Sequence, residues 1–381
     1  MSHAPIDAEA LAATLRPFGE SVVLPAAAYT HPAVLAWEKR HLFAGSWTPI
    51  GRTAEVAARG NQAAFTVGDV GVLVTCVDDG PRAFANVCRH RAHELLPVGE
   101  STERRVVLCP YHGWAYSLDG ALRTAPGMGD AFRPGDHHLV ELPVVDWHGW
   151  LLVNASGGAR PFAEHIGALA GLIAPYRAER LVVKARHSYE VAANWKIIVE
   201  NYHECYHCPM IHPELCAVTP PNSGDNWHEA GAWAGGSMRL REHAETMSMD
   251  GRSHGVPLEG VDRRTVRYLG LLPNLLISAH PDYVLTHRLE PIAPGLTFVE
   301  CEWLFPDEVA DPSYAVEFWD TTNRQDWAAC ESVHRGVSSL HFRPGPLAPN
   351  ESALYDWLTM IARAYLDPAA ELGAAAERGS R

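Results

Sequence analysis

Long apolar runs are missing from this 381-residue sequence; the best candidates, Trp150 to Val153 and Leu269 to Ser278, are too short to span a bilayer and are bounded by Gly or Pro. A membrane span is therefore not expected. The stretch from Met1 to Phe18 carries Asp7 and Glu9 among Ala and Leu and lacks the basic start and apolar core of a signal peptide, which points to a cytoplasmic location. Positive charge is also scarce: 31 Lys and Arg against 45 Asp and Glu give a formal net charge of −14. No basic cluster stands out, so a nucleic-acid partner is excluded. Cysteine is too sparse, at eight, to staple a chain of this length, and without an export signal those at motif spacing are read first as metal ligands. Internal repeats are absent as well. With 47% hydrophobic and 20% charged residues the composition is globular, and only the Ala-rich tail from Pro368 to Arg381 is expected to fray.

The length favours two domains. Helical spacing of apolar residues from Ala8 to about Phe43 marks an N-terminal helical segment, residues 1–45, expected to pack on the larger domain. Short runs rich in Val, Phe and Leu follow (Ala63 to Val67, Val70 to Cys76, Ala83 to Val87, Val106 to Cys109, Trp150 to Val153). Asp78-Asp79-Gly80 and Asp119-Gly120 punctuate them, so residues 46–156 read as a small all-β domain of hairpins. Asn154 to Arg160 is a linker by composition, and helical pattern resumes from Phe162 to Tyr176. The second domain, residues 161–381, holds an expected helix from about Asn194 to Cys208 and strands at Thr265 to Leu269, Leu275 to Ser278, Val284 to Leu289 and Leu296 to Phe305. A long helix is expected from about Pro312 to His334, with Asp311 as N-cap and Gly336 past its end. The expected fold is α+β, with an antiparallel sheet wrapped around helices.

Two Cys-His pairs lie in loops of the small domain: Cys88-Arg89-His90 and Cys109-Pro110-Tyr111-His112. Two thiols and two imidazoles suit either a zinc ion or a two-iron, two-sulfur cluster in which His replaces Cys on one iron. Spacing decides, because one residue inside the first pair and two inside the second do not match zinc fingers. The arrangement and its surroundings, Cys88-Arg89-His90-Arg91 and Cys109-Pro110-Tyr111-His112-Gly113-Trp114, resemble the Rieske domains of ring-hydroxylating oxygenases. The resemblance implies that Cys88 and Cys109 bind one iron and His90 and His112 the other. It departs from the usual form at Ala92, where glycine commonly stands.

In the second domain the informative segment runs from Asn194-Trp195-Lys196 through Glu200-Asn201-Tyr202-His203-Glu204-Cys205-Tyr206-His207-Cys208-Pro209 to His212-Pro213. Glu204 and His207 are three apart and are expected on one helix face. Pro209 and Pro213 break the helix and let His212 turn back toward His207. Two His and one carboxylate on one side of a metal form the arrangement of an oxygen-activating non-haem ferrous iron. Asp320 and Asp326 are the candidate carboxylates. The run Asn323-Arg324-Gln325-Asp326-Trp327 resembles the segment that supplies this ligand in Rieske oxygenases, which selects Asp326 and leaves Asp320 as a solvated helix residue. Cys205 and Cys208, with His203 and His207, could make a zinc site only by recruiting Cys216, and are read instead as small buried residues in a packed helix; His203, His137, His138 and His334 are read as surface or hydrogen-bonded histidines.

Nearly the whole chain thus resembles a Rieske non-haem iron oxygenase alpha subunit, with a helix-grip catalytic domain. The resemblance implies one [2Fe-2S] cluster and one mononuclear Fe(II) per subunit, O2 as co-substrate, and electrons from NAD(P)H through a separate flavin and iron-sulfur reductase. It also implies a homotrimer in which Glu204 bridges His112 of one subunit and His207 of the next. Glu204 within Glu-Asn-Tyr-x-Glu-Cys-Tyr-His-Cys-Pro looks like the branch that acts on glycine betaine, choline, carnitine or stachydrine, implying hydroxylation of an N-methyl group and loss of formaldehyde. A quaternary cation needs aromatic walls, for which Trp227, Trp233, Tyr202, Tyr206 and Tyr283 are available. Arg239, Arg241, Arg263, Arg264 and Arg267 are candidates for a substrate carboxylate. Hydroxylation of an aromatic ring is the alternative; a pure electron-transfer protein with a structural second domain is the alternative of a different class.

Overall fold

The computed structural model describes residues 3–58 and 60–368, so the tail beyond Pro368 lies outside the described residues. The chain forms two compact units: Glu38–Phe162, and the chain up to Trp37 together with that from Ala163 onward. The first break falls ahead of residue 45, where the sequence suggested it, because the chain on either side of Ala44 is tied to the smaller unit. Ala44 carbonyl accepts the Ser156 N–H at 2.9 Å, and the Asn154 amide donates to Gly45 and Ser46 carbonyls at 2.9 and 3.1 Å. Asn154, expected in a linker, is fully buried by those bonds.

Among its described residues the smaller unit holds three antiparallel sheets, with short helical segments at Lys39–Phe43 and Thr53–Ala58. Gln62–Val67, Val70–Val77 and Gly80–Ala85 pair as successive hairpins in the largest. The alternating apolar residues of these strands face inward, and a second cluster of Leu73, Phe84, Val107, Trp114 and Tyr116 encloses Cys88 and Cys109.

The larger unit is built on a seven-stranded antiparallel sheet. Its strands are β1 (Val182–Val191), β2 (Asp225–Trp227), β3 (Trp233–Arg239), β4 (Thr265–Leu271), β5 (Leu275–Ala279), β6 (Val284–Ala293) and β7 (Leu296–Phe305), in the order β1-β7-β6-β5-β4-β3-β2. Three helices matter to the site: α1 (Trp195–Tyr202), α2 (Ser313–Val337) and α3 (Ser352–Leu366). Asn194 caps α1 by accepting the Lys196 N–H. Asp311 accepts the Ser313 N–H at 2.9 Å at the start of α2, which runs through Gly336 because buried Val337 holds the last turn down. Helix α3 was not foreseen, although Ser352, Asp356, Thr359 and Arg363 recur along it at helical spacing; from Ala353 to Tyr365 it is buried on almost every side. The expected helix from Phe162 to Tyr176 is interrupted at Gly167, at φ +46°, where a Cβ would meet the Ala230 carbonyl oxygen at 2.1 Å. No described helix is long and apolar enough to cross a membrane.

Candidate iron centres and substrate cavity

In the smaller unit the two Cys-His loops share one backbone pattern. The Cys88 N–H donates to His93 carbonyl and Ala92 N–H returns to Cys88 carbonyl; the Cys109 N–H donates to Trp114 carbonyl and Gly113 N–H returns to Cys109 carbonyl. Each loop needs a left-handed residue, Ala92 at φ +58° and Gly113 at +70°. Both cysteines are buried and unbridged, while the His90 and His112 rings lie 4.7 Å apart. Trp114 stacks on His90 at 4.9 Å, and the Tyr116 hydroxyl sits 3.4 Å from Cys88 Sγ. His90 Nδ1 is buried with no hydrogen-bond partner, as befits an atom whose lone pair serves a metal. Two buried thiols facing two imidazoles fit a Rieske cluster.

In the larger unit α1 ends at Tyr202, short of the expected Cys208, so Glu204 and His207 do not share a helix face. The cause is local. The Glu204 carboxylate accepts the backbone N–H groups of Tyr206 and His207, offering them a turn in place of helix, and a separate short helix begins only at Cys208 (Cys208–Ile211). Cys205 and Cys208 also lie in this turn and are joined by a disulfide, Cα to Cα 4.9 Å, rather than buried singly in a helix. Glu204 then reaches His207 by a different route, accepting its Nδ1–H.

His207, His212 and Asp326 converge, one ligating atom from each lying within 4.8 Å of the others. Because Nδ1 of His207 donates to Glu204 and Nδ1 of His212 donates to Gln325 Oε1 at 2.7 Å, both rings turn Nε2 inward. His212 Nε2 and His207 Nε2 lie 2.9 and 3.5 Å from Asp326 Oδ1, which also accepts from Asn201 Nδ2 at 2.7 Å. Burial pushes Asp326 up, yet hydrogen bonds from His207 and His212 outweigh it and leave the carboxyl at about 2. Burial likewise pushes His207 down, but the bonds to Asp326 and Glu204 raise it to about 9. A carboxylate and two oriented imidazoles fit ferrous iron, which competes with protons for these atoms. Asp320 is not merely solvated: it accepts from Tyr189, His187 and Arg324 on β1 and α2. Asn201 and Gln325, which orient the triad, were not singled out in the sequence.

Beside the triad lies a cavity of about 240 Å³. Trp319, Thr322 and Asp326 reach it from one face of α2, Tyr268 from β4, and Tyr202 and His203 from the end of α1. Of the aromatic residues proposed as walls only Tyr202 lines it. Tyr206 is 64% exposed, Trp233 turns its indole N–H to Ala230 carbonyl, Tyr283 is bonded to Met247 carbonyl, and Trp227 lies elsewhere. Tyr268 and Trp319 take their place. None of the five candidate arginines lines the cavity; Arg241, Arg264 and Arg267 are spent on the carbonyls of Cys216, Leu240 and Leu172. His203 is neither exposed nor hydrogen-bonded but buried against Gly270, with neither ring nitrogen partnered.

A [2Fe-2S] domain coupled to a second unit with a two-histidine, one-carboxylate site defines an oxygenase. Residues 46–143 match the Rieske [2Fe-2S] domain, and residues 178–367 match the catalytic domain of the ring-hydroxylating alpha subunit. The glycine betaine monooxygenase oxygenase subunit of Chromohalobacter salexigens is 32% identical over 85% of this chain and 81% of its own. The carnitine monooxygenase oxygenase subunit of Escherichia coli K12 is 35% identical over 51% of this chain and 53% of its own. In fold, the quaternary ammonium Rieske monooxygenase CntA in complex with L-carnitine superposes with a TM-score of 0.74 at 23% identity, over 94% of this chain and 99% of that one. Naphthalene 1,2-dioxygenase from Rhodococcus sp. does so with 0.76 at 19%, over 95% and 99%. The chain belongs to the Rieske non-haem iron oxygenases, as an oxygenase alpha subunit. It is an oxidoreductase that uses a Rieske cluster and a mononuclear iron, acts on a small molecule and takes its electrons from a separate reductase.

Proposed function

We propose that the chain hydroxylates an N-methyl group of a quaternary ammonium compound. The observation that carries this reading is the cavity beside the triad, walled by Tyr202, Tyr268 and Trp319 and, among the described residues, lined by no Lys or Arg. Aromatic faces attract a cation too bulky to hydrogen-bond. Aromatic-ring hydroxylation is less favoured, because the relatives of highest identity named above are glycine betaine and carnitine monooxygenase oxygenase subunits.

In this reading Cys88, Cys109, His90 and His112 hold the cluster, and His207, His212 and Asp326 hold the iron, which supplies oxygen activation. Glu204 orients His207 and, across a homotrimer interface, links it to His112 of a neighbouring subunit. Asn201 and Gln325 keep Asp326 and the His212 ring aligned. The electron donor is an NAD(P)H-dependent flavin and iron-sulfur reductase, in the cytoplasm. The reaction consumes one O2, two electrons and two protons, yielding water and an N-hydroxymethyl ammonium that breaks its C–N bond to release formaldehyde and a protonated tertiary amine.

Oxygen uptake and formaldehyde release with a panel of methylated amines and a surrogate reductase test this, alongside iron analysis. Three irons per chain and stoichiometric formaldehyde are expected. Oxygen uptake without formaldehyde from any quaternary amine overturns the N-demethylase reading, and two irons per chain would mean a pure electron carrier.

A further inference from the structure

The aromatic side chains that wall the cavity do not stop at its edge. Tyr202, Tyr268 and Trp319 line it beside Asp326, with ring centroids 6.0 Å apart from Tyr202 to Tyr268 and 6.3 Å from Tyr268 to Trp319. The Trp319 indole N–H then donates to the Tyr283 hydroxyl at 2.8 Å, and the Tyr283 ring lies 6.2 Å from that of Tyr314. Tyr283 is fully buried and Trp319 nearly so, whereas Tyr314 is half-buried and packs against the exposed ring of His254. Separations of this size bring successive π-systems close to contact. Five oxidisable rings thus run from the cavity to the surface of the larger unit.

Their hydrogen-bond partners differ in a way that matters to an electron donor. A phenol that loses an electron becomes strongly acidic, and it settles as a neutral radical only where a base takes its proton. Tyr202 meets the Ser278 hydroxyl at 3.1 Å, Tyr268 has no partner, and Tyr283 donates to the Met247 carbonyl at 2.9 Å; none of these can hold a proton. Tyr314 alone of the five donates to a carboxylate, Asp282 Oδ2 at 2.6 Å. Burial raises the Asp282 carboxyl against the hydrogen bonds from Ser253, Thr246 and Tyr314, which makes it a better base. Tyr314 is therefore the ring from which an electron is most easily withdrawn.

Hydroxylation takes two of its four electrons from the substrate C–H bond. We infer that Tyr202, Tyr268, Trp319, Tyr283 and Tyr314 form an electron path that supplies those two electrons from the protein surface when oxygen is activated with no substrate in the cavity. Each passage moves one electron inward from Tyr314 and its phenolic proton to Asp282. A soluble thiol then returns an electron to Tyr314, Asp282 returns the proton, and the thiol's own proton goes to solvent. One O2, two reductase electrons, two protons and two thiols so yield two waters and one disulfide. The path protects the cavity whichever C–H bond the enzyme attacks, so it stands apart from the N-demethylase reading.

Rapid freeze-quench EPR of the iron-loaded protein, with its cluster reduced and then mixed with O2 in the absence of substrate and thiol, is the test. A tyrosyl radical is expected, and added glutathione should remove it. Tyr314→Phe keeps the ring but has no proton to give Asp282. It should keep its iron, lose the radical, and gain oxygen on Tyr202, Tyr268 and Trp319 severalfold faster by peptide mass spectrometry. Trp319→Phe leaves Tyr314 and Asp282 in place but should also lose the radical, because the path is cut upstream. No tyrosyl radical in the parent protein overturns the inference. So does a radical that persists in either variant, as it would if it sat on Tyr189, whose hydroxyl donates to Asp320 at 2.5 Å.

Discussion

Glu204 and His207 are joined twice within one turn. The carboxylate accepts the imidazole Nδ1–H with one oxygen and the backbone N–H of the same residue, at 3.2 Å, with the other. The ring is thereby fixed in the tautomer that turns Nε2 toward Asp326, so Glu204 supports the iron ligand whatever else it links.

That double role separates two substitutions. Glu204→Gln keeps an oxygen to accept from Nδ1 and should retain three irons per chain while slowing cluster reoxidation in the presence of substrate and oxygen by at least about 100-fold. Glu204→Ala should in addition weaken mononuclear iron binding by about 10–100-fold, because the ring loses its orienting partner. Iron analysis and stopped-flow absorbance of the cluster read the two effects independently. Normal reoxidation in the Gln variant would refute the bridge.

Ala92 holds φ +58° in the loop position that Gly113 fills in the other. An L-residue there costs about 1–2 kcal/mol, of which the larger chain entropy of glycine returns a part. Ala92→Gly should therefore stabilise the Rieske unit by about 0.5–1 kcal/mol, read as a higher urea midpoint for loss of cluster absorbance.

Acid should destabilise the larger unit. Burial pushes His165 and His287 down to about 4, His203 to about 3, and His280 well below its usual 6.5. A histidine whose folded pKa is depressed contributes stability that is present above its unfolded value near 6.5 and lost as pH falls toward the folded one. Between pH 6.5 and about 4 each such residue removes about 1.4 kcal/mol per pH unit once the unfolded chain is protonated. His280→Phe keeps the stacking on Tyr283, at 4.1 Å, and should flatten the pH dependence of the urea midpoint by about that amount.

The cluster-binding loops were legible because each ligand pair sits within four residues, so spacing alone carries the geometry. The triad was half legible. His207 and His212 are local, whereas Asp326 depends on α2 folding back against α1, which only a resemblance to a known family could supply. The course of the chain between Tyr202 and Cys208 was misread, since helical spacing cannot report that a carboxylate side chain will compete for the backbone N–H groups of the next turn. The cavity walls were mostly invisible. Tyr268 and Trp319 become neighbours only when β4 and α2 pack, and His203 is admitted by a glycine far along the chain.

The hydrogen bond from Ala4 N–H to Tyr365 carbonyl, 2.9 Å, and that from the Tyr355 hydroxyl to Arg16 carbonyl close the larger unit with its first and last parts. The smaller unit, by contrast, is one continuous stretch, Glu38–Phe162. During synthesis the iron-sulfur unit has its whole sequence available once Phe162 has left the ribosome, while the opening segment must wait for helix α3 before it finds its partners. A ribosome that stalls late therefore releases a chain able to build the electron-accepting half but not to complete the half that handles oxygen.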